Sequence, residues 1–167
     1  VFLAGSILEG RIFGLLCAII LSTTGVFFVL SGSVLTDPSL CMTVTMAMGS
    51  FMIALHETRK LPKMLWGYLF FLSLGLGILA KGPISTVMIF FPLFVWCLVH
   101  KQFKKVFSDL PWIGGSLLML IVSIPWHVMA EKASPGFLNY YIIGEHFKRF
   151  TVSGWKGDMY GSAHIQP

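Results

Sequence analysis

Long apolar runs separated by short polar links make up most of the chain. A helix that crosses a membrane needs about 20 mainly apolar residues, within a range of about 17 to 25. Segments that meet this requirement lie at residues 12–33, 39–55, 64–80, 83–99 and 110–130. The pattern predicts an all-α fold, a polytopic transmembrane bundle of about five spanning helices.

The third and fourth segments are nearly continuous, in the stretch LGLGILAKGPISTVMIFF. Lys81 is its one charged residue, and Gly82 and Pro83 follow directly. Basic loops are retained on the cytoplasmic side of a membrane, and one long helix here would put the basic loops around Arg59 and Lys104 on opposite faces. We therefore predict two helices that meet near Lys81, at the outer interface.

Alternation of five helices places Asp37, Lys81 and the tail on the outer side of the membrane. The basic residues Arg11, Arg59, Lys60, Lys63, Lys101, Lys104 and Lys105 all fall on the inner side. Residues 1–130 are accordingly predicted to form the transmembrane bundle, and residues 131–167 a periplasmic loop.

The tail is too polar to span a membrane, yet it contains a periodic apolar pattern. In GFLNYYIIGEHFKRF, the residues Tyr140, Ile143, Phe147 and Phe150 recur at helical spacing and form one stripe. This pattern predicts an interfacial amphipathic helix that lies on the outer surface with its apolar face toward the lipid.

Composition agrees with a membrane protein, since 56% of residues are hydrophobic and 11% are charged, against about a quarter charged in soluble domains. The net charge of +5 is explained by membrane orientation, and we expect no nucleic-acid partner. Three cysteines lie in apolar segments without paired spacing, as structural thiols do. Because the sequence begins within an apolar stretch, we expect it to be a fragment of a larger protein.

Asp37 and Lys81 are candidate site residues with competing explanations. Asp37, followed by Pro38, has the pattern of a helix start and could simply cap the next helix; a carboxylate there could equally accept a proton or hold a metal. Lys81 could snorkel to lipid headgroups, or its ammonium beside Gly82 could bind a phosphate. Gly75 and Gly77 upstream indicate close helix packing.

Glu145, His146 and Arg149 are neighbours on any helix through GEHFKRF. One interpretation is a solvated salt bridge next to lipid headgroups. The other gives Arg149 a phosphate and His146 a metal or the same ligand. A catalytic metal usually takes about three protein ligands, so further ligands would have to come from elsewhere, for example from His164.

The order of motifs resembles a known family. SGSVLTDPSL, GLGILAKGP and IPWHVMAEKASPGFLNYYIIGEHFKRF are similar to successive pieces of bacterial polytopic glycosyltransferases of the GT-C class. The likeness is to the aminoarabinose transferases that modify lipid A and to the protein mannosyltransferase superfamily. The loop SGWKGDMYGSAHIQP differs from the corresponding aminoarabinose-transferase loop, so the sugar and acceptor stay unassigned.

The resemblance implies a multi-pass enzyme of the bacterial inner membrane, with its active site facing the periplasm. Its partners would be a polyprenyl-phosphate-linked sugar donor, a lipid or protein acceptor, and membrane lipids. By the same resemblance Asp37 is catalytic, Lys81 and Arg149 bind phosphate, and His146 with Glu145 holds a divalent metal ion, the one cofactor implied. The family's first catalytic aspartate loop is not in this sequence, so we expect the fragment to be inactive alone.

Two other functions compete with a glycosyltransferase. A transporter or flippase of a lipid-linked or anionic substrate would line a path with Asp37, Lys81 and Glu145, but such proteins often carry inverted repeats and none is visible. A purely structural membrane subunit would leave the convergence of charged residues on the outer side as coincidence.

Overall fold

The computed structural model describes residues 1–25, 36–148 and 151, and all secondary structure among them is helical. In chain order the helices are α1 (Phe2–Glu9), α2 (Arg11–Thr23), α3 (Asp37–His56), α4 (Lys60–Lys81), α5 (Pro83–His100), α6 (Phe103–Asp109), α7 (Trp112–Ala133) and a final π-helix (Asn139–Lys148). The predicted all-α class is therefore confirmed.

Four of the described helices, α3, α4, α5 and α7, are long and apolar enough to cross a membrane. They coincide with four of the predicted spans, and the chain is a multi-pass membrane protein. The other predicted span, 12–33, begins as α2, a helix of 13 residues, and residues 26–35 lie outside the described part. The short helix α1 was not predicted; Gly10, with a φ of 98°, separates it from α2.

The central helix is α4, which packs against α3, α5 and α7. It runs parallel to α7, because Gly67 and Gly75 of α4 face Pro111 and Met119 in the same order. A Cβ on Gly75 would lie 3.1 Å from the Met119 carbonyl oxygen, and one on Gly77 would lie 3.1 Å from Ser85. The predicted role of Gly75 and Gly77 in close packing is thus confirmed.

The buried core lies where α3, α4 and α5 meet. Its fully buried large side chains are Phe51, Phe70, Phe71, Leu74 and Ile89. Phe70 contacts Phe71 edge to face, with ring centroids 5.1 Å apart, an arrangement that aromatic quadrupoles favour. This core fixes α4 relative to its neighbours, so the end of α4 at Lys81 is held by packing along the whole helix.

The opposite end of the bundle is closed by α6, which the sequence pattern did not predict. Lys63 Nζ lies 3.1 Å from Asp109 Oδ2, and the indole of Trp112 donates to the Val106 carbonyl oxygen at 3.2 Å. An apolar cavity of about 570 Å³ lies between α5 and α6, and Phe94 is one of its lining residues. This cavity lies away from Lys81.

The tail is helical at the predicted place but differs in its winding. Residues Asn139–Lys148 form a π-helix, whose i→i+5 hydrogen bonds widen each turn. The predicted stripe assumed α-helical spacing, which the wider π-helical turn does not keep. Of its residues, Tyr140 is half-buried and Ile143 is exposed. Phe150 lies outside the described residues. The division of the chain at residue 130 stays a prediction, and α7 runs past it to Ala133.

Candidate functional site

Two helix ends that meet at one end of the bundle carry opposite charges. Lys81, in the last turn of α4, forms an ion pair with Asp37, in the first turn of α3. A carboxylate is favourable at a helix N-terminus and an ammonium at a C-terminus, so each charge also suits its own helix dipole. Thr36 occupies the N-cap position of α3 and no side-chain cap hydrogen bond is present there. The Asp37 carboxylate is therefore turned to Lys81 rather than used as a cap.

The Asp37–Lys81 pair is accessible. Each of the two side chains keeps 41% of its surface exposed, so solvent screens the pair and its net contribution to stability is about 0–1 kcal/mol. Lys81 does more than snorkel toward lipid, because its ammonium has a protein partner. Such a half-exposed pair can exchange its partners for a substrate's charged groups at little cost to the fold.

The chain turns sharply directly after Lys81. Gly82 has a φ of 72°, a conformation that L side chains rarely adopt. The Ser85 hydroxyl donates to the Gly82 carbonyl oxygen at 2.7 Å, which secures the first turn of α5 after Pro83. The predicted break between two helices at this point is confirmed.

Gly82 is also in close contact with the π-helix. A Cβ at this position would lie 2.8 Å from the Tyr141 hydroxyl oxygen and 3.0 Å from His146 Cε1. Side chains of the π-helix thus occupy the space that any other residue would need. The neighbours of Gly82 are therefore Tyr141 and His146.

His146 links the π-helix to the Lys81 turn. Its Nε2 lies 3.2 Å from the Lys81 carbonyl oxygen, and its Nδ1 lies 2.7 Å from the Tyr141 carbonyl oxygen. Glu145, the preceding residue, accepts a hydrogen bond of 2.7 Å from the Tyr140 hydroxyl. Residues 65 apart in the sequence are thereby joined at one backbone carbonyl.

Aromatic side chains hold the π-helix against the end of α7. Phe137 stacks on Tyr141 with ring centroids 5.3 Å apart, and Trp126 meets Phe137 edge to face at 5.5 Å. The His127 ring lies 5.8 Å from that of Tyr141. Burial among these rings raises the pKa of Tyr141 above its ordinary value, so this hydroxyl stays protonated at neutral pH.

Glu131 shapes the loop that leads into the π-helix. One of its carboxylate oxygens accepts the Gly136 N–H at 2.9 Å, and the other accepts the Leu138 N–H at 2.8 Å. Sequence reasoning did not single out Glu131, Tyr141 or His127. The only signal for them was their place in the motif stretch between the end of α7 and Glu145.

The structure describes some of the predicted site residues and brings them close to one another. The structure brings Asp37, Lys81 and His146 together through direct contacts, and Glu145 lies beside His146 on the π-helix. Arg149 lies outside the described residues, as does His164. The chemical roles assigned to all of these residues stay predictions.

The residues around His146 do not fit a metal ion in this arrangement. A carbonyl oxygen faces each imidazole nitrogen, so neither presents a lone pair to open space. Glu145 already accepts from Tyr140, and no group of three or more His, Cys, Asp or Glu with metal-binding geometry occurs among the described residues. A catalytic metal usually takes about three protein ligands, more than these residues offer.

Comparison with known proteins places the chain in a family. Residues 1–141 match the family described as dolichyl-phosphate-mannose-protein mannosyltransferase. No solved structure matches the chain.

Three similar proteins share one name, undecaprenyl phosphate-alpha-4-amino-4-deoxy-L-arabinose arabinosyl transferase. That of Erwinia tasmaniensis is 25% identical over 154 residues, which is 91% of this chain and 27% of the relative. That of Enterobacter sp. is 28% identical over 148 residues, 87% of this chain and 25% of the relative. Transferase 1 of Proteus mirabilis is 32% identical over 120 residues, 70% of this chain and 21% of the relative.

The chain therefore spans about a quarter of the length of these relatives. The family match, in contrast, covers most of the chain, from the first residue to Tyr141 at the candidate site. Together with the helical bundle, this match confirms the resemblance seen in the motifs: the chain belongs to the dolichyl-phosphate-mannose-protein mannosyltransferase family.

Proposed function

We propose that this protein is an integral membrane glycosyltransferase. It moves a sugar from a polyprenyl-phosphate donor to a lipid or protein acceptor of the cell envelope, on the periplasmic side of the bacterial inner membrane. The observation that carries the proposal is the half-exposed Asp37–Lys81 pair where the ends of two membrane-spanning helices meet. Family membership and the relatives' names, which contain undecaprenyl phosphate, support it.

Lys81 is the proposed phosphate ligand. The donor phosphate is a diester with one negative charge, which increases toward two as the sugar leaves, and a charge-assisted hydrogen bond from an ammonium to it is stronger than a neutral one. In the proposed complex the donor phosphate replaces Asp37 as the partner of Lys81. Arg149 is proposed to bind the same phosphate, since its guanidinium can donate two parallel hydrogen bonds.

Release from Lys81 leaves Asp37 free to act on the acceptor. In the proposed reaction an acceptor hydroxyl attacks the anomeric carbon of the sugar, and the bond from that carbon to the phosphate oxygen breaks. Asp37 accepts the hydroxyl proton as general base. The electron pair of the broken bond stays on the polyprenyl phosphate, whose negative charge Lys81 and Arg149 stabilise.

The placement of charge favours this chemistry over transport. In the four spanning helices the Asp, Glu, Lys and Arg residues stand within the first or last turn, as Asp37, Lys63 and Lys132 do. A transporter binds its substrate near the middle of the membrane, where these helices carry no such residue. The interfacial position of Asp37 and Lys81 suits a reaction at the membrane surface.

The proposal is tested in the complete protein with Lys81→Ala and Arg149→Ala, by following radiolabelled sugar from a polyprenyl-phosphate donor into the acceptor fraction of membranes. We expect both variants to insert normally and to lose transfer. Lys132→Ala is a matched control, because Lys132 is an exposed lysine at the outer end of α7. Normal turnover in both Lys81→Ala and Arg149→Ala would overturn the phosphate assignment.

A further inference from the structure

A polar contact joins His146 of the π-helix to the Lys81 turn of the transmembrane bundle. The Nε2 atom reaches the carbonyl oxygen of Lys81 at 3.2 Å, across 65 residues of sequence. That carbonyl belongs to the last residue of α4, where carbonyl groups have no partner within the helix. His146 Nε2 thus faces a carbonyl oxygen that α4 itself leaves without a partner.

The second nitrogen of the same ring is used within the π-helix. Nδ1 lies 2.7 Å from the carbonyl oxygen of Tyr141, five residues earlier. A carbonyl oxygen only accepts hydrogen bonds, so each nitrogen bonds its carbonyl only when it carries a ring proton, and the Nε2–H form donates to Lys81. One imidazole therefore connects the backbone of α4 to the backbone of the π-helix.

Gly82 provides the space for this connection. A Cβ at Gly82 would lie 2.9 Å from Tyr141 Cζ and 3.0 Å from His146 Cε1, so both side chains would have to shift. The absence of a side chain at Gly82 lets His146 reach Lys81 without such a shift. The Lys81-Gly82 turn and the π-helix are therefore shaped for each other.

We propose that His146 is a positioning residue, which fastens the π-helix to the Lys81-Gly82 turn by its own hydrogen bonds and without a metal. It fixes where the π-helix ends at Lys148, one residue before Arg149 in the sequence. This inference rests on the proposed function for its catalytic consequence, because the two phosphate-binding cations must be held at a set separation. The fastening itself is independent of any reaction.

Two amide substitutions test the contacts of the two imidazole nitrogens of His146 separately. The terminal amide of a glutamine stands near the position of Nε2, and that of an asparagine stands near Nδ1. His146→Gln keeps the donor to Lys81, whereas His146→Asn keeps only the donor within the π-helix. We therefore expect glutamine to preserve the docking, and asparagine to behave like His146→Ala.

Hydrogen–deuterium exchange of the complete protein in lipid nanodiscs measures the docking without any substrate. We expect residues 139–148 to exchange about three- to tenfold faster in His146→Ala and His146→Asn, as loss of one hydrogen bond allows. His146→Gln should stay within about twofold of the unsubstituted protein by the same argument. Gly82→Ala should resemble His146→Ala. His56→Ala is the control and should change nothing, because the His56 ring bonds Met52 in its own helix.

Measuring bound metal and treating the protein with EDTA distinguish a positioning role of His146 from a metal-binding role. We expect EDTA to leave the exchange of residues 139–148 unchanged. Faster exchange after EDTA, or a His146→Gln variant that loses bound metal and exchanges as fast as His146→Ala, would overturn the proposal. Equal exchange in His146→Ala and the unsubstituted protein would also overturn it.

Kinetics test the catalytic consequence separately. We expect His146→Ala to raise KM for the polyprenyl-phosphate sugar about tenfold with a smaller change in kcat, and His146→Gln to restore KM, since one lost positioning contact is worth about that factor. A lowered kcat with unchanged KM would overturn the positioning role. If the unsubstituted protein transfers no sugar, the proposed function fails, while the exchange measurements still decide whether His146 fastens the π-helix.

Discussion

Asp37 and Lys81, 44 residues apart in the sequence, form an ion pair where α3 begins and α4 ends. Two helices of opposite direction have to be packed in register along their whole length to bring these side chains together. The buried rings of Phe51 and Phe70, with centroids 5.7 Å apart, are part of that packing. The apolar core thereby positions a polar pair at the membrane surface.

The pair predicts separate effects on activity and on stability. Asp37→Asn keeps the size of the side chain and removes the proton acceptor, so we expect turnover to fall about 10²- to 10⁴-fold. Because the pair is half-exposed, the free energy of unfolding should change by less than about 1 kcal/mol. Both quantities are measured on the purified complete protein.

The matched control for Asp37→Asn is Asp109→Asn. Asp109 pairs with Lys63 at the opposite end of the bundle. Replacing it with asparagine should therefore leave turnover per folded molecule unchanged. Asp37→Asn with more than a tenth of normal turnover would show that this carboxylate is not the general base.

The distribution of basic residues predicts which end of the bundle faces the periplasm. Ser134 follows α7 and Ser108 lies in α6, and both side chains are exposed. In a variant whose three cysteines are replaced by alanine, we expect a membrane-impermeant maleimide to label Ser134→Cys on intact spheroplasts. Ser108→Cys should react only after lysis. The reverse labelling would invert the topology and place Lys81 on the cytoplasmic side.

The close approach of α4 and α7 predicts a large effect from a small substitution. A Cβ on Gly115 would overlap the ring of Phe71, which is 2% exposed and cannot move aside. We expect Gly115→Ala to lower the free energy of unfolding by about 1–3 kcal/mol, measured by thermal unfolding in detergent. Gly49→Ala is the control, because its Cβ would meet Ala4 at an ordinary 3.4 Å. Equal stability of the two variants would contradict the packing described here.

Sequence reasoning succeeded where a simple physical rule applies to a long segment. The apolar length requirement located α3, α4, α5 and α7, and the rule for basic loops located the break at Gly82. The same topology predicts that Asp37, Lys81 and His146 lie on one side of the membrane. The contacts between these residues could not be predicted, because they depend on the axial position of each helix relative to its neighbours.

Shorter or less regular elements escaped prediction for identifiable reasons. α6 has seven residues, too few to show an apolar period. The period of the tail was compared with an α-helix, and a π-helix has a different one. The hydrogen bond from His146 to Lys81 joins a side chain to a backbone carbonyl, and backbone groups leave no trace in residue identity.

Lys81 belongs to three structural elements at once. Its backbone ends α4, its ammonium pairs with α3, and its carbonyl oxygen contacts His146 of the π-helix. A ligand that draws the ammonium away from Asp37 therefore pulls on a residue whose main chain is in contact with the π-helix. In thermodynamic terms, occupancy of the phosphate site and docking of the π-helix are linked, so each should strengthen or weaken the other by the same factor.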